Sequence, residues 1–458
     1  MGIATDPVLH ILPTTPVGNI LTLLHRALDW RPPVPFYYGW LILFTGALGT
    51  FVATTLAGVV FGGIQGLIAE EMNWSRSSIG ITAAAGVWGS GLLAPFIGRV
   101  ADRHGPRWLM PVGTLILGSC LYALGGISTI WQFFLFAVIG RAISQPLLIG
   151  LVPRTVAVNF FDRRRNLALA FTGLFRPFTS AINIQIISNV AVTRGWRTSF
   201  RYLGIASLIL TIPLFIVVRR RPEDIGLSPD GDTPVDASAL ENREGGARTP
   251  SAREAPAQGQ RDWTAKEVMR TKTFWLIALT SLVSVTAGSG IQFNMVPYFQ
   301  ESANLSTPQG AGVLSVSTFL SLASLGWGAL ADKITPRRCI IAAMIGATAA
   351  TMFLLTVSNL ATAYAFGIVW GLVSAGSDIL IYMVLAQYFG RNSYGTISGI
   401  LRPFEAGGLG LGMTLGTLSY DLTRTYKWLI LGSIAAHGVA AVLVFLAKPP
   451  AEPRRASL

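Results

Sequence analysis

Apolar runs near the length of a membrane-crossing helix follow one another along almost the whole chain, and the polar positions between them come in short bursts. A hydrocarbon layer about 30 Å thick takes roughly 20 residues of helix to cross. Runs of that kind, with Gly and Pro inside them, predict twelve crossings, six before and six after one long polar stretch. The change of pattern sets the boundaries: a lead-in over 1–35, a first half over 36–219, a linker over 220–272, a second half over 273–447 and a tail over 448–458.

From Arg219 to about Arg261 the chain is rich in Pro, Gly, Ser, Ala and charge. Such a composition buries too little apolar area to offset the entropy of ordering, so the linker is expected to be largely disordered. Near its end Thr264 and Glu267 have the spacing of a capping box, which predicts a short helix over about 265–271 before an apolar run that begins at Phe274.

Two motifs each occur twice. Gly98-Arg-Val-Ala-Asp102-Arg103-His-Gly-Pro-Arg107 follows the second run, and Gly328-Ala-Leu-Ala-Asp332-Lys333-Ile-Thr-Pro-Arg337 follows the eighth. Gly173-Leu-Phe-Arg176-Pro-Phe in the fifth run returns as Gly399-Ile-Leu-Arg402-Pro-Phe in the eleventh, at nearly the same offset. The expected fold is an all-α polytopic membrane protein whose twelve helices form two pseudo-symmetric six-helix halves, related by an axis along the membrane normal.

Composition agrees with that class. Hydrophobic residues make up 51% and charged residues 12%, against about a quarter charged in soluble domains. The net charge of +13 could suggest nucleic acid, but Arg and Lys sit in short loops between runs rather than on one soluble face. Arg99, Arg103, Arg107, Arg163 to Arg165, Lys333, Arg337, Arg338 and Arg391 all fall on one side, which predicts cytoplasmic termini; Arg194, Arg197, Arg424 and Lys427 run against the bias. Residues 1–35 lack the pattern of a secretory signal. Cys120 and Cys339 have no metal-ligand spacing and read as packing residues. No nucleotide loop, metal cluster or catalytic triad is legible, so neither a cofactor nor an enzymatic activity is expected.

Charges inside the runs carry the candidate chemistry. At 1.5 Å per residue, Arg141 in span four, Arg176 in span five and Arg402 in span eleven lie about 15 Å from the span ends, near mid-membrane. A guanidinium there costs at least a few kcal/mol unless it meets water or a partner. Asp378 and Glu405 are the acids at similar depth, so three cations face two acids and a surplus of one favours an anionic ligand. The planar fork of Arg suits a carboxylate and stays charged. Arg176 and Arg402 are expected to face each other from opposite halves, with Glu405 one turn from Arg402 as the alternative, structural partner. Asp378 and Glu405 are the candidates for proton coupling, Asp378 having a packing role as its alternative. Tyr382, Gln292, Asn294 and Gln65 could complete the wall, His437 reads as a packing or interface residue, and Arg154 is expected to snorkel toward the helix end.

The duplicated loop and the paired spans resemble the major facilitator superfamily. Phe36-Tyr-Tyr-Gly-Trp40, Asn73-Trp74-Ser75-Arg76, Arg220-Arg-Pro-Glu-Asp-Ile-Gly-Leu-Ser-Pro-Asp230 and Tyr388-Phe-Gly-Arg-Asn-Ser-Tyr-Gly395 narrow the likeness to the bacterial monocarboxylate porter and oxalate:formate antiporter group, over about 36–446. The resemblance implies a secondary active transporter of a small organic anion, proton- or anion-coupled, working by alternating access in the bacterial inner membrane as a monomer. It also implies a link between proton movement and Arg141 within Ile139-Gly140-Arg141, followed by Gln145. The chain departs from the group in having no charge over 309–327 in span eight and no basic residue in the body of span one. Efflux of drug-like compounds and ligand sensing without flux are the alternatives. Chiefly on the strength of the resemblance, Gly98, Asp102, Arg103 and Arg107, with Gly328, Asp332, Lys333 and Arg337, are expected to form a conformational latch, in which Asp102 near a helix C-terminus meets a compensating cation or helix N-terminus; the alternative is that they are simply orienting charges.

Overall fold

The computed structural model describes residues 34–161, 164–228, 230, 263–389 and 394–450. The first half comprises α1 (Tyr38–Met72), α2 (Arg76–His104), α3 (Pro106–Leu124), α4 (130–160), α5 (Arg165–Arg194) and α6 (Trp196–Val217). The second comprises α7 (Lys272–Ala303), α8 (Thr307–Lys333), α9 (Pro336–Leu354), α10 (Leu360–Phe389), α11 (Tyr394–Thr423) and α12 (Lys427–Leu446). Ten helices among the described residues are long and apolar enough to cross a membrane, and α5 and α11, 30 residues each, complete the set of twelve.

Duplication is visible in the turns as well as the spans. α1 and α7 both stop at an asparagine in the left-handed region, Asn73 at φ 53° and Asn304 at φ 52°. Asparagine tolerates that conformation and leaves the last helical carbonyls satisfied. A serine then caps the following helix in each half: Ser75 accepts from the Ser78 N–H, and Ser306 forms a capping box with Gln309. In the linker, Thr264 and Glu267 form the expected capping box on a helix that runs Ala265–Met269, anchored by Trp263 edge-on to Phe389. The segments 1–33, 231–262 and 451–458 lie outside the described residues.

Three spans are broken, and at two of the breaks side chains of neighbouring helices take up backbone carbonyls, as a dry bilayer interior requires. α1 tightens into a 3-10 turn at Thr54–Leu56, where the fully buried Asn183 of α5 donates to the Phe51 carbonyl at 2.9 Å and to the hydroxyls of Thr54 and Thr55. α4 widens into a π turn at Gln145–Gly150 around Pro146, which has no N–H to give the regular ladder. The Leu148 carbonyl there accepts from the Thr50 hydroxyl at 2.7 Å. α8 carries a 3-10 turn at Leu320–Ala323.

The halves meet unevenly. We call the end that carries the loops after α2, α4, α8 and α10 the basic end. Cross-half contacts toward the opposite end include Gln65, which donates to the Phe293 carbonyl and to Asn294, and Gln185, which bonds Ser315, while Phe178 meets Phe319 nearer mid-span. Closest approach is made by glycine, since a Cβ on Gly62 would lie 2.3 Å from the Phe293 carbonyl oxygen and one on Gly80 would lie 2.2 Å from the Thr417 hydroxyl. Small residues let helix backbones approach where lipid offers no hydrophobic drive to association. The core repeats the asymmetry: one buried cluster runs from Phe61, Ile64 and Ile184 into Phe293, Val296 and Met413, while another, around Phe274, Ile340, Leu385 and Leu401, belongs to the second half.

At the basic end, Arg337 bonds the carbonyls of Val444 and Phe445 at the end of α12, so this member of the duplicated loop ties its own half together as a C-terminal cap. Asp332 and Lys333 are exposed, Gly98 and Arg107 are half-buried, and Gly328 has an ordinary 3.8 Å contact to Met383 at its Cβ position. The side chains of Asp102 and Arg103 lie outside the described residues.

Candidate functional site

Between the halves, toward the basic end, the arginines collect. Arg176 on α5 and Arg402 on α11 are both exposed, and the glycine one turn before each, Gly173 and Gly399, has nothing within 4 Å of where a Cβ would stand. The two copies of Gly-x-x-Arg-Pro-Phe therefore present matching open faces. The proline after each arginine sits inside its helix and removes one ladder hydrogen bond. Around the first copy the Thr179 hydroxyl returns to the Phe175 carbonyl at 2.7 Å.

Arg141 is different in kind. It is 7% exposed, on α4 just before the π turn, and it lies against α2 where a Cβ on Gly86 would come within 2.8 Å of its Cβ and Cγ. Its Nε and Nη1 are buried and make no hydrogen bond. Burial is the main penalty on its charge, and Arg176 adds a like charge to it. A buried guanidinium with unused donors beside a second cation is destabilising on its own account.

On the other wall the Arg402 guanidinium lies 5.8 Å over the ring of Tyr382 from α10, a cation–π arrangement. Glu405 is half-buried one turn after Arg402, and the side chain of Asp378, one turn before Tyr382, lies outside the described residues. Gln292 is half-buried on α7. Asn294 belongs to the closed seam: it is 1% exposed, donates to the Gly290 carbonyl and accepts from Gln65. His437 is a packing residue, with Nδ1 2.9 Å from the Ser433 carbonyl oxygen and its ring edge-on to Trp370. Cys120 and Cys339 are buried free thiols.

Two features escape a reading of the sequence. Arg154, expected to reach for the helix end, is exposed and within electrostatic range of Arg402 and Arg176, so α4 delivers two arginines to this region, one on each side of its π turn. The π turn is the missed signal, because Pro146 lies between them. The second feature is a clasp at the end opposite the basic loops. The Asp421 carboxylate at the end of α11 accepts from the N–H groups of Arg76 at 3.2 Å and Ser77 at 2.7 Å, at the start of α2. Arg76 pairs with Glu301 of α7 at 3.1 Å, donates to the Tyr426 hydroxyl and lies 3.9 Å over the Tyr420 ring. The clasp joins the two halves.

A duplicated bundle of twelve membrane-length helices, clasped between its halves at one end, is the architecture of one class of membrane transporters. The chain belongs to the Major Facilitator Superfamily, whose model it matches over residues 46–404 and 315–458. It is 25% identical over 347 residues to the gentisate transporter of Corynebacterium glutamicum, covering 74% of this chain and 72% of that protein. It is 24% identical over 338 residues to the membrane sensor protein UhpC of Salmonella typhimurium, covering 72% and 74%. The crystal structure of a bacterial homologue of the human lysosomal transporter Spinster, inward-facing and unoccupied, matches at a TM-score of 0.67 over 91% of this chain and 98% of that one, with 16% identity, a likeness of fold. The family is one of transporters rather than enzymes.

Proposed function

We propose that the protein is a secondary active transporter of a small organic anion, coupled to a proton or a counter-anion and working by alternating access. The observation that carries this reading is the buried Arg141 of the first half, whose Nε and Nη1 make no hydrogen bond, together with the exposed Arg176 and Arg402 at matching positions of the two halves. A carboxylate bridging Arg176 and Arg402 would draw the halves together at the basic end, so substrate binding would itself favour the opposite conformation. The basic loops set the sealed end outward and the open end toward the cytoplasm, under the positive-inside rule. Glu405 and Asp378 are the proton-coupling groups, and the duplicated loop, with Asp102 and Asp332, is the latch of the outward-facing state. Similarity to the gentisate transporter adds weight to a carboxylate substrate.

Ligand-dependent thermal shift of the purified protein, with mono-, di- and aromatic carboxylates beside sugars and lipophilic cations, tests the proposal. Stabilisation by carboxylates followed by their flux in proteoliposomes supports it; stabilisation by lipophilic cations alone moves the assignment to drug efflux. A second reading, a transporter-like sensor, is favoured by the similarity to UhpC. Carboxylate binding without flux would select it.

A further inference from the structure

In both copies of Gly-x-x-Arg-Pro-Phe the glycine stands four residues before the proline, so the ladder bond that the proline cannot make is the one to the glycine carbonyl, Gly173 in α5 and Gly399 in α11. Glycine holds a helix less firmly than any other residue but proline, and nothing lies within 4 Å of where either Cβ would stand. Each helix is therefore weakest at one turn, and Arg176 or Arg402 sits inside that turn. Both helices run from the basic end toward the clasped end, so Ala181 and Ala406 lie just beyond the weak turn on the clasped side. There each helix is held from the other half. The Ser315 hydroxyl of α8 donates to the Ala181 carbonyl at 2.8 Å and accepts from Gln185, one turn further along α5, at 3.2 Å. The Trp88 indole N–H of α2 donates to the Ala406 carbonyl at 3.1 Å, and its ring lies over Gly410, where a Cβ would collide with it. Two different donors thus hold the two repeated segments at nearly the same place.

We propose that the two Gly-x-x-Arg-Pro turns are hinges pinned by Ser315 and Trp88, and that opening of the clasped end breaks both pins and reorients Arg176 and Arg402. Each donor belongs to the half that parts from the pinned helix when that end opens, so the two pins fail together. Beyond its hinge, each helix is then released from the position that now fixes the arginine turn. This rests on the reading of the site as anion-binding and adds that affinity for the anion follows which end is open, which is the differential binding that alternating access requires. Ser315 and Trp88 are positioning residues: each acts through a backbone carbonyl four or five residues beyond an arginine.

Spin labels placed within one half read the hinges without any ligand, on the full-length protein with Cys120 and Cys339 replaced by Ser. Ser128→Cys with Ile186→Cys serves the first half, and Ser358→Cys with Leu415→Cys the second, all at exposed positions. In rigid halves these distances stay fixed whatever the clasp does. Hinged helices should shift both distributions when Asp421→Asn weakens the clasp. With the clasp intact, Ser315→Ala should shift the first pair and Trp88→Phe the second, whereas Ser315→Thr, which keeps the hydroxyl, should match the parent. Affinity for benzoate and glutarate, read from concentration-dependent thermal shifts, should fall about fivefold in Ser315→Ala and in Trp88→Phe, the order set by one hydrogen bond, while the ligand-free melting temperature stays near the parent's. Fixed distances within each half in every variant overturn the hinges and leave an anion site standing. Shifted distances with carboxylate affinity unchanged overturn the control of the arginines. Moving hinges in a parent protein silent toward both carboxylates support the hinges and overturn the anion reading instead.

Discussion

Asp421→Asn is the most informative single change in this protein, because it weakens the clasp that seals one end without touching the arginine region. In the structure the Asp421 carboxylate receives two backbone N–H groups at the start of α2, at 3.2 and 2.7 Å, and so also meets the positive end of that helix. Hydrogen bonds to a charged group contribute roughly 1.5–3 kcal/mol, and an amide oxygen in the same place keeps part of that. A loss of about 2 kcal/mol is expected, which moves the equilibrium between the closed and open forms of this end roughly 30-fold. Spin labels at Ser128→Cys and Ser358→Cys, exposed on the turns after α3 and α9, with Cys120 and Cys339 replaced by Ser, report the separation of the two halves there. The long-distance population should grow in the Asp421→Asn protein, and Glu301→Gln, which removes the Arg76 ion pair, should move it the same way by less. Identical distance distributions in all three proteins would refute the claim that this cluster holds the end shut.

Arg176→Gln and Arg402→Gln should each abolish carboxylate-induced thermal shifts in a protein of unchanged fold; full affinity in both would remove them from the site. Arg141→Met should raise the ligand-free melting temperature, since replacing an uncompensated buried charge by an apolar side chain often gains about 1–4 kcal/mol, and should lose ligand stabilisation; a lower melting temperature would mean that Arg141 is a structural support. Glu405→Gln should keep ligand binding and flatten its dependence on pH, and an unaltered pH profile in binding and flux would exclude Glu405 from coupling. Gly62→Ala places a methyl where the Phe293 carbonyl oxygen now stands 2.3 Å away, so it should bias the same spin-label pair toward separation at a cost of about 1–3 kcal/mol. Asp102→Asn should alter transport and accessibility at the basic end, and unchanged values of both would sink the latch.

The number of spans, the division into two halves and the equivalent positions of Arg176 and Arg402 are legible in the chain, because each depends on residues close in sequence: an apolar run of sufficient length, or a six-residue motif repeated at a fixed offset. The depth of Arg141 follows from the same counting, since helical rise is constant and the span ends are marked by polar turns. What the chain alone does not determine is which helix faces meet. Arg154 reads as a residue near a helix end, and the π turn at Gln145–Gly150 changes the direction in which the last turns of α4 point, because one extra residue per turn rotates everything after it. Asn294 reads as a cavity residue by its depth, and only the packing of α1 on α7 places it in the closed seam beside Gln65. The clasp of Arg76, Glu301, Asp421, Tyr420 and Tyr426 draws on three helices from both halves, and no local pattern announces a contact whose members lie hundreds of residues apart. Local periodicity and repetition set the elements of this protein and their order; the close approach of particular faces, permitted by glycines such as Gly62, Gly80 and Gly86, decides which end is sealed and which charges share a site.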